Sequence, residues 1–324
     1  MPIRLNGIIL FTLALLSVRV WLGVVDEGRI MKAIVVEGGA MRGIFAAGVL
    51  DAYIEADFYP YDFAIGVSAG TSNLANYLSK QQKRSYNVIT KLATQKQFFN
   101  PIRFIKKGHL VDIQWLLDES ERVYPLNKKQ LFSSIPLFTS ITNVATGNAE
   151  YHRIDHKNMN YLLEATSAMP IAYRFTPCTP KSCHADGGIS DSIPVIEAYK
   201  RGATDITVIL SRPLNYRMQQ KKVNWAMKTM LNQQPRIIQA LSSRAIHYNK
   251  ALDFIKSPPE GISVNVLAPP NHFPINRLTM DRKKLETGYQ MGLVLGNQQV
   301  QKHLQQLLTH DNIDRSSRTG VPIQ

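Results

Sequence analysis

The sequence predicts an α/β fold with a central, mostly parallel sheet, followed by a C-terminal helical extension. Three observations carry this. KAIVVEGG (32–39) is a short β-branched run ending in glycines, and it enters a segment (42–56) with large apolar residues at 45, 49, 50, 53 and 54, roughly helical spacing. YDFAIGVSAG (61–70) is a second strand that runs into a serine turn, and TSNLANYLSKQQ continues from it as a helix. Strands that alternate with helices argue for a parallel sheet covered by helices. Beyond Ser211 the chain becomes rich in Gln, Lys, Arg, Leu and Met, and 219–256 and 285–308 look helical.

The elements between follow in order. Residues 110–118 look helical. FTSITNVATGNAEYHRI (138–154) reads as a hairpin about Thr146-Gly147-Asn148. NMNYLLEATSAMP (158–170) is a helix stopped by Pro170. A cysteine-flanked loop, ADGGISDSIP, a helix at 194–201 and the strand DITVIL (205–210) come next, and ISVNVL (262–267) fits one more strand. The expected organisation is an apolar extension or anchor at 1–30, a catalytic domain at 31–211, a basic helical extension at 212–310 and a polar, disordered tail at 311–324.

With 324 residues, 44% hydrophobic and 19% charged, the chain can bury a sizeable core. The net charge is +14, and it is uneven. Residues 1–200 hold 21 Lys and Arg against 17 Asp and Glu, whereas 201–324 hold 17 against 7. Such a surface favours anionic membranes, nucleic acid or acidic partners. Zinc-finger spacing and an arginine-rich arm are both missing, so no nucleic acid is expected and an anionic membrane surface fits better. No His or Cys cluster has metal-ligand spacing, and no metal or cofactor is expected. Cys178 and Cys183 would close a small loop in an oxidising compartment, but a single pair is no disulfide framework, and free thiols are expected. GIILFTLALLSVRVWLGVV (7–25) is long enough for a membrane anchor, although Arg19 opposes that unless it sits near the interface. A cleaved signal lacks a clear small-x-small site. In a third reading residues 1–30 lie outside the working domain and Met31 is the true start. The expected location is cytoplasmic, either peripheral at the inner membrane or anchored to it.

Three motifs carry chemistry. Gly66-Val67-Ser68-Ala69-Gly70 puts a serine between strand and helix, where flanking glycines permit a sharp turn and a helix N-terminus favours negative charge. EGGAMRG (37–43) presents backbone N–H groups to an anion, either a phosphate or the oxyanion of a tetrahedral intermediate. Its spacing is not the dinucleotide G-x-G-x-x-G, and the chain lacks a P-loop. Arg42 in this loop fits three roles: holding the loop, facing a phosphate, or lying on the surface. Asp186-Gly187-Gly188 suits a carboxylate at a sharp turn that takes the serine proton. Asp191 is its nearby rival, and its position suits a helix N-terminal acid or cap.

In this order, with GGAMRG, then GVSAG, then DGG about 120 residues later, the chain resembles the patatin-like phospholipase family over roughly residues 32–210. ATSAMP (165–170) also looks like the family's Ala/Ser-rich helix before the base. The resemblance implies a three-layer patatin-like fold and a Ser68–Asp186 dyad without a catalytic histidine, acting on acyl esters of lipids or phospholipids. It implies an oxyanion hole near Gly38, Gly39 and Ala40, with Arg42, Gly43, Gly66, Gly70, Gly187 and Gly188 supporting the motifs. One departure is Ala40, where many members have a third glycine; a positive φ there would be less comfortable for alanine. Two rival readings remain. An ordinary Ser-His-Asp hydrolase would draw on His247, His272, His303 or His310, with His272 best placed after a strand. A lipid-binding protein would carry the same residues as a vestigial site.

Overall fold

The computed structural model describes residues 30–319, with side chains described up to residue 308 except that of residue 107. Among the described residues seven strands form one sheet: β1 Lys32–Val36, β2 Phe63–Gly66, β3 Leu137–Asn143, β4 Ala149–Arg153, β5 His184–Asp186, β6 Asp205–Ile209 and β7 Ser263–Leu267. Their order is β4-β3-β2-β1-β6-β7. The pairs from β3 through β7 are parallel, and β3 pairs antiparallel with β4. Along its other edge β3 meets β2 through Leu137, Phe138 and Thr139, then β5 through Ile141, Thr142 and Asn143.

The principal helices are α1 Gly43–Glu55, α2 Ala69–Leu78, α3 Ile113–Val123, α4 Met159–Ser167, α5 Val195–Lys200, α6 Pro235–Lys256 and α7 Arg282–Thr319. Alternation along β1 splits the core into two layers. Ile34 and Val36 pack with Phe45, Val49 and Leu50 of α1, Leu74 and Leu78 of α2, and Val300 of α7. Ala33 and Val35 face the other way, against Val195 and Ala198 of α5 and Tyr248, Leu252 and Ile255 of α6. Both sheet faces are covered, so β1 reads as a continuous apolar run.

α1 is buried from Gly43 through Tyr53, all round its circumference. A helix of that kind needs cover on the side away from the sheet, and α7 supplies it. A Cβ at Gly48 would lie 2.2 Å from Tyr289 O, and one at Gly292 only 2.1 Å from Phe45 O. The two backbones therefore approach as closely as glycine allows. Tyr289 also donates its hydroxyl to the buried Asp51 of α1 at 2.8 Å.

Several expectations change here. The segment after residue 211 is part of the same core: β7 pairs with β6, α6 covers one sheet face and α7 covers α1. Helix α7 continues to Thr319, across the 310/311 boundary expected between helix and disordered tail. The 219–256 helix is broken into Trp225–Met230 and α6, which starts at Pro235. The cysteines are not free thiols. A turn in which Thr179 N donates to Ser182 O at 2.8 Å brings Cys178 and Cys183 together, and they form a disulfide. The apolar stretch 7–25 lies outside the described residues. Among the described residues no helix is long and apolar enough to cross a membrane.

Candidate functional site

Ser68 sits just past the end of β2 with φ 53° and ψ −125°, in the positive-φ region that residues with side chains rarely occupy. The strain is held by close packing. A Cβ on Gly66 would come 2.5 Å from Thr71 Cα, and one on Gly70 would come 2.4 Å from Val36 O. Only glycine lets α2 fold back this tightly onto β1 and β2. Ser68 occupies the N-cap position of α2 but makes no side-chain cap, which leaves its hydroxyl for other partners. Its backbone N–H donates to Thr166 Oγ1 at 2.8 Å, and that hydroxyl donates to Ser140 O at 2.7 Å.

Asp186 ends β5 and is buried. Its backbone N–H donates to Ala168 O at 3.0 Å, its carbonyl accepts from Thr142 Oγ1 at 2.8 Å, and its Oδ1 accepts from Gly188 N at 2.7 Å. Gly187 has no room for a side chain, since a Cβ would lie 2.1 Å from Ser140 O. Burial pushes the carboxyl above its ordinary value; the Gly188 N–H, the charges of Arg244 and Arg277 and a hydrogen bond from Ser68 draw it back down. Ser68 and Asp186 thus face one another, and both line a single cavity.

The loop at 38–40 lines that cavity too. Ala40 has φ 49°, so the chain places alanine where the backbone is left-handed. Arg42 lies behind the loop, buried, and does not reach the surface. Its Nη2 donates to Ser211 Oγ at 3.0 Å, and Ser211 Oγ in turn lies 3.4 Å from Gly38 O. Glu37 closes the network: its carboxylate accepts from Ser211 N at 2.6 Å and Tyr248 Oη at 3.2 Å, 4.0 Å from Arg42 Nη2. Burial lowers the Arg42 pKa to about 10, partly offset by Glu37, and the group stays cationic at neutral pH. Of the three roles open to Arg42, this geometry is that of a loop clamp. Gly43 packs on Ala69, binding the loop to the serine turn.

The cavity has a volume of about 910 Å³, near the upper end for ligand pockets. Leu116, Leu117, Leu163, Phe98, Met159 and Val88 are among its apolar walls. Two cations, Arg244 of α6 and Arg277, line it on the Asp186 side. Burial lowers the Arg244 pKa to about 10, and among the described residues its buried Nε has no hydrogen-bond partner. Sequence reading missed both arginines and Thr166. Thr166 lies in the ATSAMP segment, but nothing local marks its hydroxyl. The arginines come from the C-terminal third, which the motifs do not reach.

Among the described residues no histidine lines the cavity. His272 is exposed, His247 bonds to Ser190 O at 3.1 Å, and His303 meets Phe58 edge to face. The side chain of His310 lies outside the described residues. Asp191 also points elsewhere, accepting from Tyr151 Oη at 2.6 Å and Ile193 N at 3.1 Å.

A strained serine turn, a buried aspartate and a glycine loop around one apolar cavity can be compared with known proteins. Residues 34–199, about half of the chain, match the model of the patatin-like phospholipase family. The chain belongs to that family. It is therefore a member of a lipid-hydrolase family, and its central, mostly parallel sheet with helices on both faces is the three-layer arrangement expected from the sequence. Residues 234–308 match a second model, described as a domain of unknown function (DUF6363), which spans α6, β7 and the first part of α7. The uncharacterised protein YjjU of Escherichia coli K12 is 32% identical over 290 residues, covering 84% of this chain and 77% of that protein. The crystal structure of VipD from Legionella pneumophila aligns with a TM-score of 0.46 at 13% identity, over 83% of this chain and 67% of that one.

Proposed function

We propose that the protein is a serine acyl hydrolase that cleaves acyl esters of lipids through Ser68 and Asp186. The observation that carries this is the meeting of an uncapped serine, on a strained turn, with a buried carboxylate in the lining of a large apolar cavity. The Ser68 hydroxyl attacks the ester carbonyl carbon as its proton passes to Asp186. The carbonyl oxygen becomes anionic and is met by backbone N–H groups of Gly38, Gly39 and Ala40. Collapse breaks the ester C–O bond, and the alcohol leaves with the proton from Asp186. Water then attacks the acyl-serine, giving its proton to Asp186. A second collapse frees the fatty acid and returns the proton to Ser68. A carboxyl raised by burial suits a base working nearer neutrality than a solvated aspartate. The apolar walls suit an acyl chain, each buried methylene of which contributes about 0.8 kcal/mol. Arg244 and Arg277 suit a headgroup phosphate or the carboxylate product beside the ester.

The test is fatty-acid release by purified protein from a panel of phospholipids, lysophospholipids and p-nitrophenyl butyrate, with Ser68→Ala beside it. A loss of about 10³-fold or more in the variant is expected. Equal turnover in both proteins would overturn the proposal. Lipid binding without turnover on any ester would instead support a binding protein with a vestigial site. The net charge of the C-terminal third motivates a second element of the proposal, peripheral attachment to anionic membranes. Vesicle co-sedimentation that ignores both anionic lipid content and salt would refute that element.

A further inference from the structure

Outside the lining of that cavity, three ligand-bearing side chains meet on one face of the sheet. Glu150 and Asp186 are both register partners of Ile141, on opposite edges of β3. His152 is opposite Thr139, and His184 is opposite Asn143. Residues 139, 141 and 143 alternate on one strand, so their partners share a face. Glu150, His152 and His184 each offer one ligand atom, and the three atoms lie within 4.8 Å of one another. Glu150 Oε2 is 2.9 Å from His184 Nε2 and 3.2 Å from His152 Nε2.

The supporting contacts orient these atoms. His184 is 3% exposed, and its Nδ1 is bonded to the Tyr161 hydroxyl, which leaves Nε2 as the nitrogen facing the cluster. The second oxygen of Glu150 accepts from Asn143 Nδ2 at 2.8 Å, so Oε2 is the oxygen turned inward. His152 is exposed and opens the cluster to solvent. Ser182 Oγ, half-buried, lies 3.3 Å from His184 Nε2. Tetrahedral zinc with bonds of about 2.0–2.1 Å sets its ligands about 3.4 Å apart. The two glutamate–histidine separations need adjustments of tenths of an ångström, and the two histidine ligand atoms, within 4.8 Å of each other, would close in on the ion. Held ring nitrogens and a carboxylate with its other oxygen occupied are how ligand sets are fixed in place.

We propose that Glu150, His152 and His184 form a binding site for a divalent transition-metal ion, zinc first. Two imidazoles with one carboxylate suit zinc, cobalt or nickel, whereas calcium and magnesium favour sets of oxygens. Water or Ser182 Oγ completes the shell. The ion ties β4 to β5 across β3, two residues before Asp186, and reaches α4 through Tyr161, which also lines the cavity. The expected absence of metal-ligand spacing misses this because the third ligand arrives from a strand over thirty residues away.

The experiment uses tag-free, full-length protein with its disulfide intact, stripped by chelator and dialysed against zinc sulfate. Metal content, titration calorimetry and zinc X-ray absorption are the readouts. Wild type is expected to hold one zinc per chain with two imidazoles and no sulfur in its shell, and magnesium and calcium are expected not to compete. His152→Ala, at an exposed position, and Glu150→Gln are each expected to weaken binding roughly tenfold or more. No retained zinc, equal binding by wild type and both variants, or a shell containing sulfur would overturn the proposal.

Discussion

Replacing Asp186 with asparagine separates chemistry from packing. The side chain keeps its shape, and its amide oxygen can still accept from Gly188 N, now at 2.7 Å. It cannot take a proton. A positioned general base contributes typically 10²–10⁴ in rate, so the barrier should rise by about 3–5 kcal/mol. Stability should move the other way. Burial raises the folded-state pKa of Asp186, so the folded protein holds this proton more tightly than the unfolded chain does. The ionised carboxylate therefore costs stability, and the cost grows as pH rises above the ordinary aspartate range. Asparagine carries no such cost. Turnover of p-nitrophenyl butyrate, read beside urea midpoints at pH 5 and pH 8, is the assay. Turnover is expected to fall at least about a hundredfold, with a urea midpoint at pH 8 equal to or above wild type. A variant within tenfold of wild-type turnover would refute the role of base. A variant much less stable at pH 8 than at pH 5, relative to wild type, would refute the sign of the burial argument.

Three further outcomes follow from packing and charge. Ala40→Gly should gain stability, because left-handed φ costs a non-glycine residue about 1–2 kcal/mol, less about 0.4–1 kcal/mol for the freer unfolded chain; a clear loss in a thermal melt would contradict the positive φ. Gly292→Ala should destabilise by about 1–3 kcal/mol despite alanine's better helix propensity, since its Cβ would overlap Phe45 O at 2.1 Å. A urea midpoint at or above wild type would mean that α1 and α7 do not meet as described. Asp51 is pushed by burial from 3.8 to about 6, so stability should fall by up to about 3 kcal/mol as pH rises from 4 to 8. Asp51→Asn should flatten that fall in urea titrations across the same range, and an unchanged slope would count against it.

The sequence made the site's skeleton legible because each motif is local. Gly66 and Gly70 flank Ser68 within five residues, and the packing that demands glycine there is itself between neighbouring elements. Asp186 could be suspected from its glycines, but β5 is three residues long, too short to show a strand period. The clamp on the glycine loop joins Glu37 and Arg42 to Ser211 and Tyr248, at separations no spacing rule reaches. The same limit hid Arg244 and Arg277. The C-terminal helices looked like an appendage because their surfaces are basic. Gly288, Gly292 and Gly296, four residues apart on α7, were the local sign of a close helix contact. The disulfide was set aside on compositional grounds, whereas the tight turn at 179–182 decides it geometrically.

The central claim is that Ser68 is a nucleophile activated in this fold. Labelling of the native protein with a fluorophosphonate, followed by mass spectrometry, tests it most directly. Tryptic cleavage after Arg42 and Lys80 isolates Ser68 in the peptide 43–80. The account predicts one adduct per chain, on Ser68, abolished in Ser68→Ala and slowed in Asp186→Asn. An unlabelled wild-type protein, or equal labelling of wild type and Ser68→Ala, would contradict it.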